Sequence, residues 1–191
     1  MWLDVNAFNR ADWPAFGDVP PINKDWTKAA LKGQKTFSNN DPDFEECPDY
    51  NDWALTYDDG PGQFTDERVL KPLAERNLKA TFFVTGQQVA NSPNVLKKIH
   101  DDGHQIGIHT WSHPELTKLS NDQVVAEIVW TARIIKNITG VAPTMFRPPC
   151  KFCLVNLKVG DIDARVRGII KNLGLSVILW NRDTKGAAFK T

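Results

Sequence analysis

Short, almost wholly apolar runs alternate with helical segments from Asn51 onward, and that alternation limits the fold more than any other feature of the chain. The runs lie at 53–57, 80–85, 105–109, 144–147 and 175–180; helical spacing occupies 65–77, 93–102, 121–138 and 161–173. Strands that are apolar on both faces and separated by helices predict a parallel sheet covered by helices. Without a glycine-rich fingerprint after a strand, the pattern favours a barrel over a dinucleotide-binding fold. The strongest helix is 121–138, where Val124, Val125, Ile128, Val129, Ala132 and Ile135 recur at periodic offsets and Gly140 supplies the stop. The first fifty residues differ. They are irregular and rich in Pro, Asn and Asp (Pro14, Pro20, Pro21, Asn39, Asn40). They read as an extended arm, with one short helix near 25–32, that wraps the core through Trp2, Trp13, Trp26 and Phe37. The expected organisation is thus an arm over 1–50 and one α/β domain over 51–191.

Lys+Arg and Asp+Glu both number 23, so the formal charge is zero. Nucleic acid and anionic membranes call for a cationic surface, which this balance argues against. No apolar run approaches the roughly 20 residues of a membrane span. The segment Met1-Trp2-Leu3-Asp4-Val5 has neither a basic nor an apolar leader region, so no signal peptide is expected in the sequence as written. Three cysteines are too few for a disulfide scaffold, and the odd count leaves at least one without an internal partner.

The polar residues that can do chemistry fall at strand ends. The first strand runs into Asp58-Asp59, the third into His109 and His113, the fourth into Arg147-Pro148-Pro149, and the last reaches Asp183. A parallel barrel brings all of these to one mouth. Two imidazoles and a carboxylate form a ligand set for a divalent transition metal that leaves positions open for water and substrate. A second carboxylate beside it suits a general base acting on the attacking water, with Arg147 paired to that base. Each motif alone has a plainer reading: Asp-Asp-Gly-Pro is a turn, a lone His pair is core, Arg-Pro-Pro is a rigid loop. Their co-occurrence at successive strand ends is what carries weight. His100 and His104, in or just after a helix, read as solvated and take no role.

The segments Thr56-Tyr57-Asp58-Asp59-Gly60-Pro61, His109-Thr110-Trp111-Ser112-His113 and Phe146-Arg147-Pro148-Pro149 resemble the first three motifs of the polysaccharide deacetylases, the NodB-homology carbohydrate esterases. Residues 79–84, 103–106 and 160–163 resemble the fungal chitin deacetylase branch. The resemblance implies a distorted (β/α) barrel and a hydrolase that removes acetyl groups from N-acetylglucosamine units of chitin or its oligomers. It implies Asp58 as general base, Arg147 orienting it, and Asp59, His109 and His113 holding one divalent ion, zinc or a similar metal such as cobalt. It also implies a secreted or cell-wall location, with which the sequon at Asn137-Ile138-Thr139 agrees; a monomer is expected.

The chain also departs from the family pattern. Ten residues, 150–159, stand where the third motif has a single aromatic, and they include two of the three cysteines. Mostly apolar and free of Gly and Pro, they suggest unspliced-intron read-through and, as protein, a poorly packed loop over the mouth. The fourth motif keeps Asp183 but lacks its second Asp and its Trp. The fifth, which carries a general-acid His, is not found within the 191 residues. The expectation is a metal half without an acid half, an incomplete barrel with an open parallel edge, and impaired turnover. A non-catalytic protein that binds metal and carbohydrate is the alternative.

Overall fold

The computed structural model describes residues 13–31, 43–49, 51–150 and 160–182. Five parallel strands stand side by side in chain order: β1 (Thr56–Asp58), β2 (Thr81–Val84), β3 (Gln105–Ile108), β4 (Met145–Phe146) and β5 (Ser176–Val177). Every crossover therefore steps in the same direction. With crossovers of one hand, this leaves the helices on one side of the sheet, which is the wall of a barrel. Among the described residues the sheet is not closed, so the architecture is α/β, a distorted and incomplete (β/α) barrel.

Register sorts the side chains. Phe82 pairs with Ile106, Val84 with Ile108, Ile108 with Phe146 and Phe146 with Val177, and this set packs towards the helices. The alternate set, Thr56, Asp58, Phe83, Met145 and Arg147, faces the other side. Most of it lines a cavity of about 780 Å3, along with Phe44, Trp53 and Trp180.

The helices are α1 (Lys24–Leu31), α2 (Lys71–Glu75), α3 (Gly86–Asn91), α4 (Pro93–Asp101), α5 (Asn121–Thr139) and α6 (Ala164–Asn172). Central among them, α5 packs against α1, α3, α4 and α6. All nine residues from Val124 to Ala132 are buried. Ser120 and Gln123 form a reciprocal capping box at its start, and Gly140, at φ +79°, ends it. Each buried Val or Ile is worth about 1.5–3 kcal/mol, against about 1 kcal/mol for a cap. Packing therefore forms this helix and the caps place its ends.

The structure corrects several expectations. Residues 65–77 do not make one α-helix: a π-helical turn, Asp66–Leu70, precedes α2. Pro72 has no amide hydrogen to donate, and the wider turn accommodates that gap. The first strand starts at Thr56 rather than at Trp53, whose side chain is 76% exposed. Residues 161–163 precede α6 instead of opening it: Asp163 caps it, accepting from Val166 N at 2.7 Å. His104 is not solvated but 8% exposed, its Nδ1 accepting from Ala80 N at 3.3 Å. The open edge beyond β5 is partly filled, since Phe44 N donates to Val177 O (3.0 Å) and Leu179 N donates to Phe44 O (2.8 Å). Asp43, whose side chain is largely buried, anchors that segment to Arg167 of α6 at 2.5 Å.

Other expectations hold in part. The short helix of the arm is α1, with Trp26 edge-on to Trp130 at 5.5 Å. Trp130 Nε1 donates to Pro21 O at 3.0 Å. Cys47 is a free thiol. Among the described residues, no helix is long and apolar enough to cross a membrane. Trp2, Phe37, Asp183 and residues 151–159 lie outside the described residues.

Candidate functional site

Strand β1 ends at Asp58, and Asp59 then turns to φ +69°, which releases consecutive carboxylates from strand alternation. Asp58 stays on the cavity side and accepts from Arg147 Nη1 at 2.8 Å through Oδ1. Asp59 swings towards the end of β3. Its Oδ1 lies 3.3 Å from His109 Nε2 and 3.1 Å from His113 Nε2. One ligand atom from each of these three residues falls within 4.8 Å of the others. First His109 and then His113 hold the Asp59 carboxyl well below the usual carboxylate range, through hydrogen bonds that outweigh its partial burial.

The tautomer of His109 tests whether this set fits a cation. Its Nδ1 lies 2.8 Å from Arg147 O, which can only accept, so Nδ1 carries the hydrogen. In neutral His109 the Nε2 lone pair then faces a carboxylate oxygen. Two acceptors at that distance need a cation between them, a proton or a metal ion. Two imidazoles and a carboxylate, the buried one oriented by a carbonyl, are the donor set of a divalent metal site. The residues present fit such an ion.

Arg147, 3% exposed, is held on every side. Besides Asp58, its Nη1 donates to Thr56 Oγ1 (2.8 Å), Nε to Ile178 O (3.3 Å) and Nη2 to Leu179 O (3.2 Å). The guanidinium lies 4.1 Å from the centre of the Phe83 ring. That ring needs Gly107 beneath it, because a Cβ there would stand 2.6 Å from two of its carbons.

The loop that carries both imidazoles is irregular. Thr110 and His113 adopt φ of +69° and +58°, uncommon for residues with a side chain. Side chains and neighbouring backbone hold it. His113 N donates to Thr110 Oγ1 (3.1 Å), while Thr110 O accepts from Gly86 N (3.0 Å) and Trp111 O from Gln87 N (3.1 Å). Trp111, fully buried, lies against Gly86. The sequence reading missed Glu127, which is fully buried on α5 beneath this loop. Burial pushes its carboxyl above the ordinary value despite hydrogen bonds from Ser112 and Trp111. The only sequence signal was a carboxylate within the apolar run of α5.

Of the six residues singled out in the sequence, the structure brings together Asp58, Asp59, His109, His113 and Arg147; Asp183 lies outside the described residues. The polysaccharide deacetylase signature matches residues 45–178. The chain belongs to the polysaccharide deacetylase family. It is 39% identical to chitin deacetylase 1 of Cryptococcus neoformans, over 97% of this chain and 44% of that protein. It is 40% identical to the chitin deacetylase of Amylomyces rouxii, over 95% of this chain and 39% of the relative. Among solved structures it resembles the peptidoglycan deacetylase PdaC of Bacillus subtilis, with 35% identity and a TM-score of 0.60 over 71% of this chain and 61% of the other. The chain thus spans less than half the length of these fungal relatives. The family is one of hydrolases that act on carbon–nitrogen bonds, and this chain carries a site suited to a divalent metal.

Proposed function

We propose that the chain acts on the N-acetylglucosamine units of chitin or chitooligosaccharides, hydrolysing the acetamide to acetate and a free amine. The observation that carries this reading is the meeting of Asp59, His109 and His113 beside the Asp58–Arg147 pair. Chitin is chosen over peptidoglycan because both fungal relatives, which align over almost the whole chain, are named chitin deacetylases. The same substrate places the protein in the cell wall or outside the cell, and the exposed Asn137 of the sequon agrees.

Asp59, His109 and His113 would hold one divalent ion, zinc or a similar metal such as cobalt. Such an ion would polarise the acetamide carbonyl and the attacking water. Asp58 is the general base. Arg147 occupies its Oδ1, which leaves Oδ2 to take the proton as the water adds to the carbonyl carbon. Arg147 is a positioning residue, fixed by the two β5-side carbonyls and Thr56. Asp183 is proposed at the same mouth by motif position alone.

The departing amine must gain a proton, and the described residues offer no evident donor. Of the four His, two are the imidazoles of the site; His104 sits at the opposite strand ends, bonded to Ala80 ahead of β2, and His100 lies near the end of α4. With no donor assigned among the described residues, the second reading is a protein that binds metal and carbohydrate without turning the acetamide over. The test is calorimetric titration with Zn2+ followed by N-acetylglucosamine oligomers. One ion per chain, and oligomer binding lost on chelation, is expected. Failure to bind zinc would overturn both readings.

A further inference from the structure

We infer that Glu127 is a positioning residue for the metal site, the buttress that fixes the loop between its two imidazole ligands. This rests on the metal reading above and deepens it. The loop 109–113 must present two Nε2 atoms to one point, yet its backbone takes a course with two positive φ values and no regular ladder. Its consecutive amides at Trp111 and Ser112 point away from the ligand side, into the core. There the carboxylate of Glu127 accepts both through Oε2, at 2.7 and 2.8 Å, while Oε1 accepts from Ser112 Oγ at 2.7 Å. Three donors converge on one carboxylate that is fully buried.

Leaving a buried carboxylate so deep in a helix-packing face is unfavourable unless its oxygens are satisfied, and this loop satisfies them. The reverse also holds. Without Glu127, the buried amide of Trp111 and the half-buried amide of Ser112 would lose their acceptor, and the loop would relax towards ordinary φ values. The helix that carries Glu127 is buried continuously from Val124 to Ala132, so the buttress is rigid. Because both contacts fall between His109 and His113, a shift of the loop changes the distance between the imidazoles rather than moving them together. Glu127 touches neither the ion nor the substrate; it acts through the loop.

The experiment compares wild type with Glu127→Gln, Glu127→Ala and Ser112→Ala in the full chain, measuring Zn2+ affinity by chelator competition and the visible spectrum of the Co2+ form. Melting of the metal-free proteins reports folding separately. The amide oxygen of Gln can accept both backbone amides, so Glu127→Gln is expected to keep zinc affinity within about threefold and to preserve the Co2+ spectrum. Glu127→Ala is expected to lose about 10–100-fold in zinc affinity, with altered Co2+ bands. A folded Glu127→Ala protein with wild-type affinity and spectrum overturns the inference. Should that variant not fold, Ser112→Ala, which removes one of the three contacts, is expected to weaken zinc a few-fold; unchanged affinity there overturns it equally. Wild type that binds no zinc would instead refute the metal reading itself.

Discussion

A single methyl group placed at Gly86 should disturb the metal loop without touching any residue of the site. An added Cβ would stand 2.0 Å from Trp111 Cε3 and 2.6–2.7 Å from two further atoms of the same ring, where ordinary contact begins near 3.4 Å. The indole would have to move by roughly 1.4 Å, the difference of those two distances. It has little freedom to do so, being fully buried and backed by Trp130 at 6.4 Å. Overpacking of this kind costs about 1–3 kcal/mol, and a rigid ring with no escape belongs at the upper end. The better helix propensity of Ala recovers less than about 1 kcal/mol. A net loss of about 2–3 kcal/mol should lower the melting temperature of a chain this long by roughly 5–10 °C. Trp111 lies between the imidazoles, so zinc affinity should fall as well. The assay is urea unfolding and zinc competition on Gly86→Ala, Trp111→Phe and the double variant. Phe lacks part of the clashing ring, so the double variant should lose less than the sum of the singles by about 1 kcal/mol. Additive losses, or a Gly86→Ala protein as stable as wild type, would refute the packing argument.

Replacing either His109 or His113 by Ala should abolish stoichiometric binding of a divalent ion, whereas Asp58→Asn should spare it; equilibrium dialysis with zinc distinguishes the two. On the second reading, acetate release from chitooligosaccharides should stay at or near background, since working without a general acid costs about 10²–10⁴ in rate. A robust rate in an acetate assay would refute that reading and make Asp183 the first candidate donor. Residues 150–159 should be replaceable by one aromatic residue with no loss of melting temperature. Asp161 N already donates to Pro149 O at 2.9 Å, so the ends of the segment meet in the span of a tight turn. Acid should weaken the fold through His104. Burial, then the charge of Lys79, lowers its pKa below the ordinary 6.5, so the unfolded chain takes up the proton first and stability falls as the pH drops below 6.5. Urea midpoints across pH 5–8 should show this fall, and His104→Asn should flatten it.

Much of the site was legible because its chemistry is written in residue types that have few other uses in combination. Asp58-Asp59, His109, His113 and Arg147 each follow an apolar run, and a parallel sheet gathers such positions whatever the details of its loops. The long helix α5 was legible for a different reason: its apolar period is sustained, and Ser120, Gln123 and Gly140 mark its ends. What escaped depended on partners remote in sequence. Glu127 looks like a solvated gap in an apolar stripe until the loop at 109–113 is folded over it. His104 looks like a helix-end residue until Ala80 arrives beside it. The pairing of Phe44 with β5 could not be read from an arm without period, because one bridge and the Asp43–Arg167 ion pair fix it. Helix α3 is six residues long and begins with Gly86, Gln87 and Gln88, too short and too polar for a period to show.

Arg147 serves the site twice, and by different means. Its guanidinium grips Asp58 while its own carbonyl receives the hydrogen on His109 Nδ1. The base and one metal ligand are therefore referred to the same amino acid, and the span between them is set in large part by the bond lengths and angles of that one residue. Breathing of β1 against β3 would carry both groups along instead of opening a gap between them. The two attachments also differ in how evolution can reach them. Substitution can remove the guanidinium but not the carbonyl, so the metal side of the site is protected from the mutations that would disarm its base. A lineage could lose catalysis at this position and go on holding its metal.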